Sequence, residues 1–252
     1  MRVVIIGAGN VASVLGRLIK KAGHEIIQVI SRNMDTAQIL ADELHCSATN
    51  NFADLDKTAS IYIVAMSDAA LNDLKENINV GDKVIVHTAG SVSKDVLKNI
   101  SINYGVLYPL QSLRKENTDS HLHIPMLIDG NNEYSLQLIE TFANSIASPV
   151  TIANDEYRQK MHVAAVVTSN FTNYLYSLAH DYCSKEKLDF KMLLPLIEET
   201  ASRLHHHSPN DMQTGPAARK DIITLDKHLR LLNAHPRLRN IYLKITDSIM
   251  NP

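Results

Sequence analysis

The sequence predicts an α/β protein: a Rossmann doubly wound, mostly parallel sheet followed by an all-α C-terminal domain. Three observations predict it. An apolar, β-branched run, Arg2 to Ile6, ends abruptly in Gly7-Ala8-Gly9-Asn10-Val11-Ala12 and gives way to helical spacing, which reads as strand, tight turn and helix. Short apolar runs then recur between helical segments, the pattern of a parallel sheet covered on both faces. From Asp155 onward every periodic stretch is helical.

Taken in order, the first turn carries the densest chemistry. Glycine at Gly7 lets the chain turn, glycine at Gly9 removes the Cβ where a backbone approaches a pyrophosphate, and Ala12 fills the third place of a GxGxxA pattern. The amides of Asn10 and Val11 open a helix, Asn10–Lys20, whose N-terminus favours negative charge. Ala22-Gly23-His24 ends that helix, and Glu25–Ser31 reads as the second strand. There an NAD-binding unit usually offers Asp or Glu to the ribose, whereas this chain offers Ser31-Arg32-Asn33. A hydroxyl and a guanidinium suit a 2′-phosphate, which a carboxylate would repel, so the expected cofactor is NADP(H). A purely solvating Arg32 is the alternative.

Met34–Leu44 follows as a helix, Cys46–Ala48 as a short third strand, and Ile61–Met66 as the fourth. Ser67-Asp68 is an N-cap pair for a helix Ala69–Asn77, Lys83–His87 is the fifth strand, and Tyr104–Tyr108 the sixth. Ligands of such sheets lie beyond the carboxyl ends of the strands. That rule makes Gly7, Gly9, Asn10, Val11, Ser31, Arg32, Met66, Ser67 and Thr88 the candidate cofactor-binding residues. It adds Gln111, in the loop after the sixth strand, as a substrate contact. Tyr108-Pro109 is a candidate cis bond.

Ile124–Ile128 is a last strand candidate and Glu133–Ala147 a helix, and Pro149 marks a boundary between a cofactor domain at 1–150 and a helical substrate and dimerisation domain at 151–252. The helices expected in the second are Glu156–Ser184, Asp189–His206, Asp221–Asn233 and Pro236–Met250. At 100° per residue, His162, Ser169, Asn173 and Tyr176 fall in one narrow stripe of the first of these, a polar seam on an otherwise apolar helix. Buried helices also carry satisfied His and Asn with no catalytic role. Four aligned polar residues suit a pocket wall, with His162 as proton donor and Ser169 and Asn173 orienting a substrate. Asn170 joins the substrate-binding candidates, as does Arg219, which could anchor a carboxylate or belong to a plain loop beside the N-cap Asp221. The run His205-His206-His207 cannot converge on one ion, because consecutive helical side chains point apart, so no metal is expected.

Composition narrows the classes. The 252 residues are 45% hydrophobic, and 25 basic against 27 acidic residues give a formal net charge of −2, no field for nucleic acid or an anionic membrane. With no secretory signal pattern and no bilayer-length apolar run, the expected location is cytoplasmic. Cys46 and Cys183 read as free thiols. An oxidoreductase acting on a small molecule is the first hypothesis, and a non-catalytic dinucleotide sensor or scaffold the second.

With the glycine turn, SRN, VHTAGS, GVLYPLQSL, HVAAVVTSNFTNYLY and TGPAARKDIITLDKHL in view, the chain resembles a bacterial family of Rossmann-like NADP oxidoreductases whose C-terminal domain has no assigned function. The resemblance spans nearly the whole chain. It implies a helical domain similar to that of six-phosphogluconate dehydrogenase, in a superfamily with pyrroline-carboxylate reductase, ketopantoate reductase and the β-hydroxyacid dehydrogenases. It further implies a homodimer and hydride transfer to or from a small substrate at a site between domains. One departure stands out: the β-hydroxyacid dehydrogenases place a catalytic Lys four residues before an Asn, and here Val166 precedes Asn170 and Ser169 precedes Asn173.

Overall fold

The structure is a computed structural model that describes residues 1–74, 78–116 and 124–251. The chain forms two compact units, Met1–Ser169 and Asn170–Pro252. The first is built on an eight-stranded sheet. In chain order the strands are β1 (Arg2–Ile6), β2 (Glu25–Ile30), β3 (Ser47–Thr49), β4 (Ile61–Val64), β5 (Gly81–His87), β6 (Ser101–Pro109), β7 (Met126–Gly130) and β8 (Val150–Ile152). They lie side by side as β3-β2-β1-β4-β5-β6-β7-β8. Only the β6–β7 pairing is antiparallel, Tyr108 standing opposite Leu127. The order reverses between β1 and β4, which pair with Val3 opposite Ile61 and Ile6 opposite Val64, and this switch point opens a crevice beyond the strand ends.

Because side chains alternate along a strand, β1 feeds two cores at once. Val3 and Ile5 pack with Ile63 and Val86 under α1 (Asn10–Lys21) and, further along, α4 (Glu133–Ile146). Val4 and Ile6 pack with Tyr62, Val64 and Ile85 against Leu71 of α3 (Asp68–Asp73). All four β1 side chains are fully buried, each worth about 1.5–3 kcal/mol relative to exposure. This two-sided burial is why the strands read as unbroken apolar runs. The helix α2 (Met34–Leu44) is capped by Asn33, whose side chain accepts the Thr36 N–H at 3.0 Å.

Several elements differ from expectation. The third strand is Ser47–Thr49 rather than Cys46–Ala48, and β6 begins three residues earlier than Tyr104. β7 is shifted to Met126–Gly130, a register set by its antiparallel partner. β8 was not expected: Met126 N–H donates to the Pro149 carbonyl, so the chain continues into the sheet where Pro149 reads as a boundary. The expected helix Ala69–Asn77 is helical over Asp68–Asp73, and its positions 75–77 lie outside the described residues. The cis bond recorded is Ser148-Pro149, not Tyr108-Pro109. The segment expected as one helix over Glu156–Ser184 is α5 (Asp155–Ala165), a π-helical stretch Val166–Phe171, and α6 (Thr172–Lys185).

In the second unit, α7 is confined to Leu194–Ser202, with 3₁₀ turns at both ends of the longer helix expected there. α8 (Ile222–Leu231) is capped by Asp221, which accepts the Thr224 N–H at 3.1 Å, and α9 (Pro236–Met250) starts on proline as expected. Leu178, Leu225 and Leu232 are buried, but Met192, Leu196, Ile223 and Leu231 are more than half exposed. No helix among the described residues is long and apolar enough to cross a membrane.

Candidate active site

The turn after β1 is fixed by sterics. Gly7 has φ +120°, and a Cβ on it would lie 2.1 Å from the Ala65 carbonyl oxygen, so no other residue fits. Its N–H donates to the Ile30 carbonyl at 2.7 Å, tying the turn to the end of β2. Gly9 is different: it is the N-cap of α1, and a Cβ there would meet nothing within 4 Å. Protein packing does not demand this glycine. The open space above it does suit a phosphate, since α1 has no acidic residue in its first turn and no side chain capping its free amides.

A cavity of about 280 Å³ extends from this turn, lined by Gly7, Gly9, Ser31, Arg32, Met66 and Ser67. The residues present therefore fit a dinucleotide: glycines and helix amides for the pyrophosphate, and beside the end of β2 an exposed guanidinium. No carboxylate pairs with Arg32 among the described residues. Asn10 and Val11 form the first turn of α1, and the Asn10 side chain accepts the Lys115 N–H at 3.2 Å. Ser67 occupies the N-cap of α3 without a side-chain capping bond, while Asp68 accepts the Ser91 hydroxyl. Thr88 is buried, and its hydroxyl donates to the Val64 carbonyl at 3.4 Å.

Beyond β5 and β6 stands a second cluster. Tyr108, at the end of β6, shares a 2.9 Å hydrogen bond between its Oη and Nδ1 of His162 on α5, with the rings edge to face at 5.9 Å. Gly90 makes room for the pair: a Cβ there would lie 2.5 Å from His162 Nδ1 and 2.9 Å from Tyr108 Cζ. One turn before His162 on α5, Arg158 is fully buried, donating to the Val92 carbonyl and, at 2.8 Å, to Asp155. Asp155 also accepts the Lys94 N–H at 3.3 Å, so the start of α5 is clamped to the segment that follows β5. Burial alone would raise the Asp155 carboxyl, but hydrogen bonds from Ser93 and Arg158 outweigh it and hold the group below the usual range. His87, fully buried at the end of β5, accepts the Ala89 N–H at Nδ1 (3.2 Å); burial and then the Arg158 cation push it down to about 4.

The sequence-predicted residues are thus divided. His162 and Ser169 belong to the first unit; Asn170, Asn173, Tyr176 and Arg219 belong to the second. The seam drawn at 100° per residue does not hold along its length, because the π-helical stretch Val166–Phe171 lies between His162 and Asn173 and changes the angle per residue. Asn170, Asn173 and Arg219 are exposed. Gln111 is also exposed, its side-chain oxygen accepting the Ser112 N–H at 3.0 Å. Among the described residues no group of His, Cys, Asp and Glu is placed to hold a metal. Sequence reasoning missed Tyr108 as a partner of His162, and missed His87 and Arg158. Arg158 left one trace, a cation at i−3 and i−4 from Met161 and His162, on the face of α5 that meets the sheet.

The strand order, the Gly7 turn and the open face above Gly9 define a Rossmann dinucleotide-binding protein. Residues 2–90 match the family described as NADP oxidoreductase, coenzyme F420-dependent, and residues 124–249 match a domain of unknown function, DUF2520. A crystal structure from Bacteroides fragilis, provisionally assigned as an NADP oxidoreductase, is 34% identical over 100% of this chain and 98% of its own, with a TM-score of 0.93. The chain belongs to this family of NADP-dependent oxidoreductases carrying the DUF2520 domain. Pyrroline-5-carboxylate reductase from Streptococcus pyogenes shares the fold at 15% identity, covering 100% of this chain and 99% of that one (TM-score 0.65). So does an imine reductase from Myxococcus stipitatus in complex with NADP⁺, at 14% identity, 99% and 92% coverage and a TM-score of 0.65. No curated protein matches the chain.

Proposed function

We propose that the chain transfers a hydride between NADP(H) and a small carbonyl or imine substrate, with His162 supplying the proton. The supporting observation is the setting of His162. Its Nδ1 is engaged by Tyr108 at the end of β6, in the sheet whose β1 and β2 ends carry the glycine turn and Arg32, while its Nε2 has no hydrogen bond among the described residues. A half-buried imidazole held at one nitrogen and open at the other is suited to proton transfer.

Bound NADPH supplies the hydride. Gly7, Gly9, Asn10 and Val11 hold the pyrophosphate, Ser31 and Arg32 the 2′-phosphate, and Met66, Ser67 and Thr88 the cofactor's further length. In the first unit Ser169 orients the substrate and Gln111 contributes a contact; Asn170, Asn173 and Arg219 are carried as candidate substrate residues of the second unit. In this reading the region after Pro149 is the substrate and dimerisation domain. The chain works as a cytoplasmic homodimer that binds no nucleic acid, in keeping with its −2 net charge and the exposed apolar side chains of its second unit.

The test is NADPH oxidation, followed by absorbance, over a panel of small ketones, aldehydes and cyclic imines. Turnover is expected, and His162→Gln should lower kcat by about 10²–10⁴-fold with NADPH affinity unchanged. Full activity in that variant would remove His162 from the chemistry, and binding without turnover of any panel member favours a sensor.

A further inference from the structure

The Tyr108–His162 pair carries more than the placement of a histidine. A buried phenol proton needs an acceptor, and the partner of Tyr108 Oη among the described residues is His162 Nδ1 at 2.9 Å. Where Tyr108 donates and Nδ1 accepts, the imidazole proton resides on Nε2, each nitrogen's role being set by the bond the other makes. Burial keeps the phenol above the ordinary tyrosine range, so it rests protonated, while the nearby Arg158 cation pulls the other way and favours a transient phenolate. The closeness of the pair depends on Gly90, whose Cβ would displace both rings.

Resting on the hydride-transfer reading above, we propose that Tyr108 donates to His162 Nδ1 as a positioning residue and proton reservoir, and that the site accordingly reduces a carbonyl group in preference to an iminium. A neutral imidazole is too weak an acid to give up its Nε2 proton alone. Coupled to Tyr108 it needs no net loss: as the hydride reaches the carbonyl carbon and the C=O π pair moves to oxygen, the Nε2 proton passes to that oxygen and the phenol proton passes to Nδ1. The histidine changes tautomer without changing charge and the product is an alcohol; on its release Nε2 takes a proton from water as the Nδ1 proton returns to the Tyr108 phenolate, restoring the starting pair. A phenol is a far stronger acid than an alcohol, so the transfer runs downhill. An N-alkylated iminium has no lone pair to accept that proton and gains nothing from the pair.

Nitrogen-15 NMR of the imidazole in the full-length protein without ligand tests the core of the proposal. The wild type should show Nδ1 as the unprotonated, accepting nitrogen and Nε2 as the N–H. Tyr108→Phe, which keeps the ring, should give a mixture of tautomers, and Gly90→Ala should do the same by forcing the pair apart. A wild-type signal with the proton on Nδ1, or an unchanged tautomer in Tyr108→Phe, overturns it. A second readout uses NADPH with acetoacetate or succinic semialdehyde against N-methyl-pyrrolinium. Tyr108→Phe should lower kcat on a carbonyl by about a hundredfold and leave the iminium rate unchanged. Equal losses on both acceptors overturn the relay, and the NMR result decides on Tyr108 even if the hydride-transfer reading itself fails.

Discussion

Acidification should destabilise this protein through His87, and the size of the effect follows from its burial. The imidazole is 0% exposed and lowered from 6.5 to about 4, by burial first and the Arg158 cation second. Above pH 6.5 the side chain is neutral in both the folded and the unfolded chain and contributes no pH dependence. Between 6.5 and about 4 the unfolded chain binds a proton that the folded chain does not, so stability falls as pH falls. Below about 4 both states are protonated and the loss from this group is complete. The drop from 6.5 to about 4, at about 1.4 kcal/mol per pH unit, gives a loss of about 3 kcal/mol. Urea unfolding of the wild type and His87→Asn at a series of pH values measures it, Asn being able to accept the Ala89 N–H. The wild type should lose about 3 kcal/mol more than the variant across that window. Parallel curves would refute the reasoning. Arg158→Met removes the neighbouring cation, so it should raise the His87 pKa and shrink the loss.

Two further outcomes follow from the same geometry. Gly7→Ala should cost more than about 2 kcal/mol of stability, because it places a Cβ against the Ala65 carbonyl at a positive φ, whereas Gly9→Ala should change stability by less than about 0.5 kcal/mol while weakening NADPH binding about tenfold or more; denaturant melts and fluorescence titration separate the two. Light scattering at micromolar concentration should return twice the mass of one chain, and the mass of a single chain would count against the dimer.

Much of the first unit was legible because its determinants are local. Arg2–Ile6, the glycine turn and the Asn10 helix each carry their own pattern, and two-sided burial writes the strands as apolar runs. β8 was not legible, since three residues after a proline at the sheet edge carry no periodicity. The π-helical stretch was hidden by the assumption of 3.6 residues per turn, and the drawn seam broke there. Tyr108 and His162 lie 54 residues apart, and nothing local to either announces the other; their meeting depends on the β6–β7 register and on the clamp at the start of α5. Arg158 resembled one more polar residue on an amphipathic helix, and only its complete burial distinguishes it.

In the proposed function Ser31-Arg32, in place of an acidic ribose ligand, commits this crevice to NADP(H). Fluorescence titration of NADPH and NADH against the wild type and Arg32→Ala tests it most directly. Loss of the charge-assisted contact is worth about 1.5–3 kcal/mol, or roughly 10- to 150-fold. The wild type should bind NADPH more tightly than NADH, and Arg32→Ala should lose that factor for NADPH while leaving NADH unchanged; tighter binding of NADH, or an Arg32→Ala variant that keeps its NADPH affinity, would contradict the account.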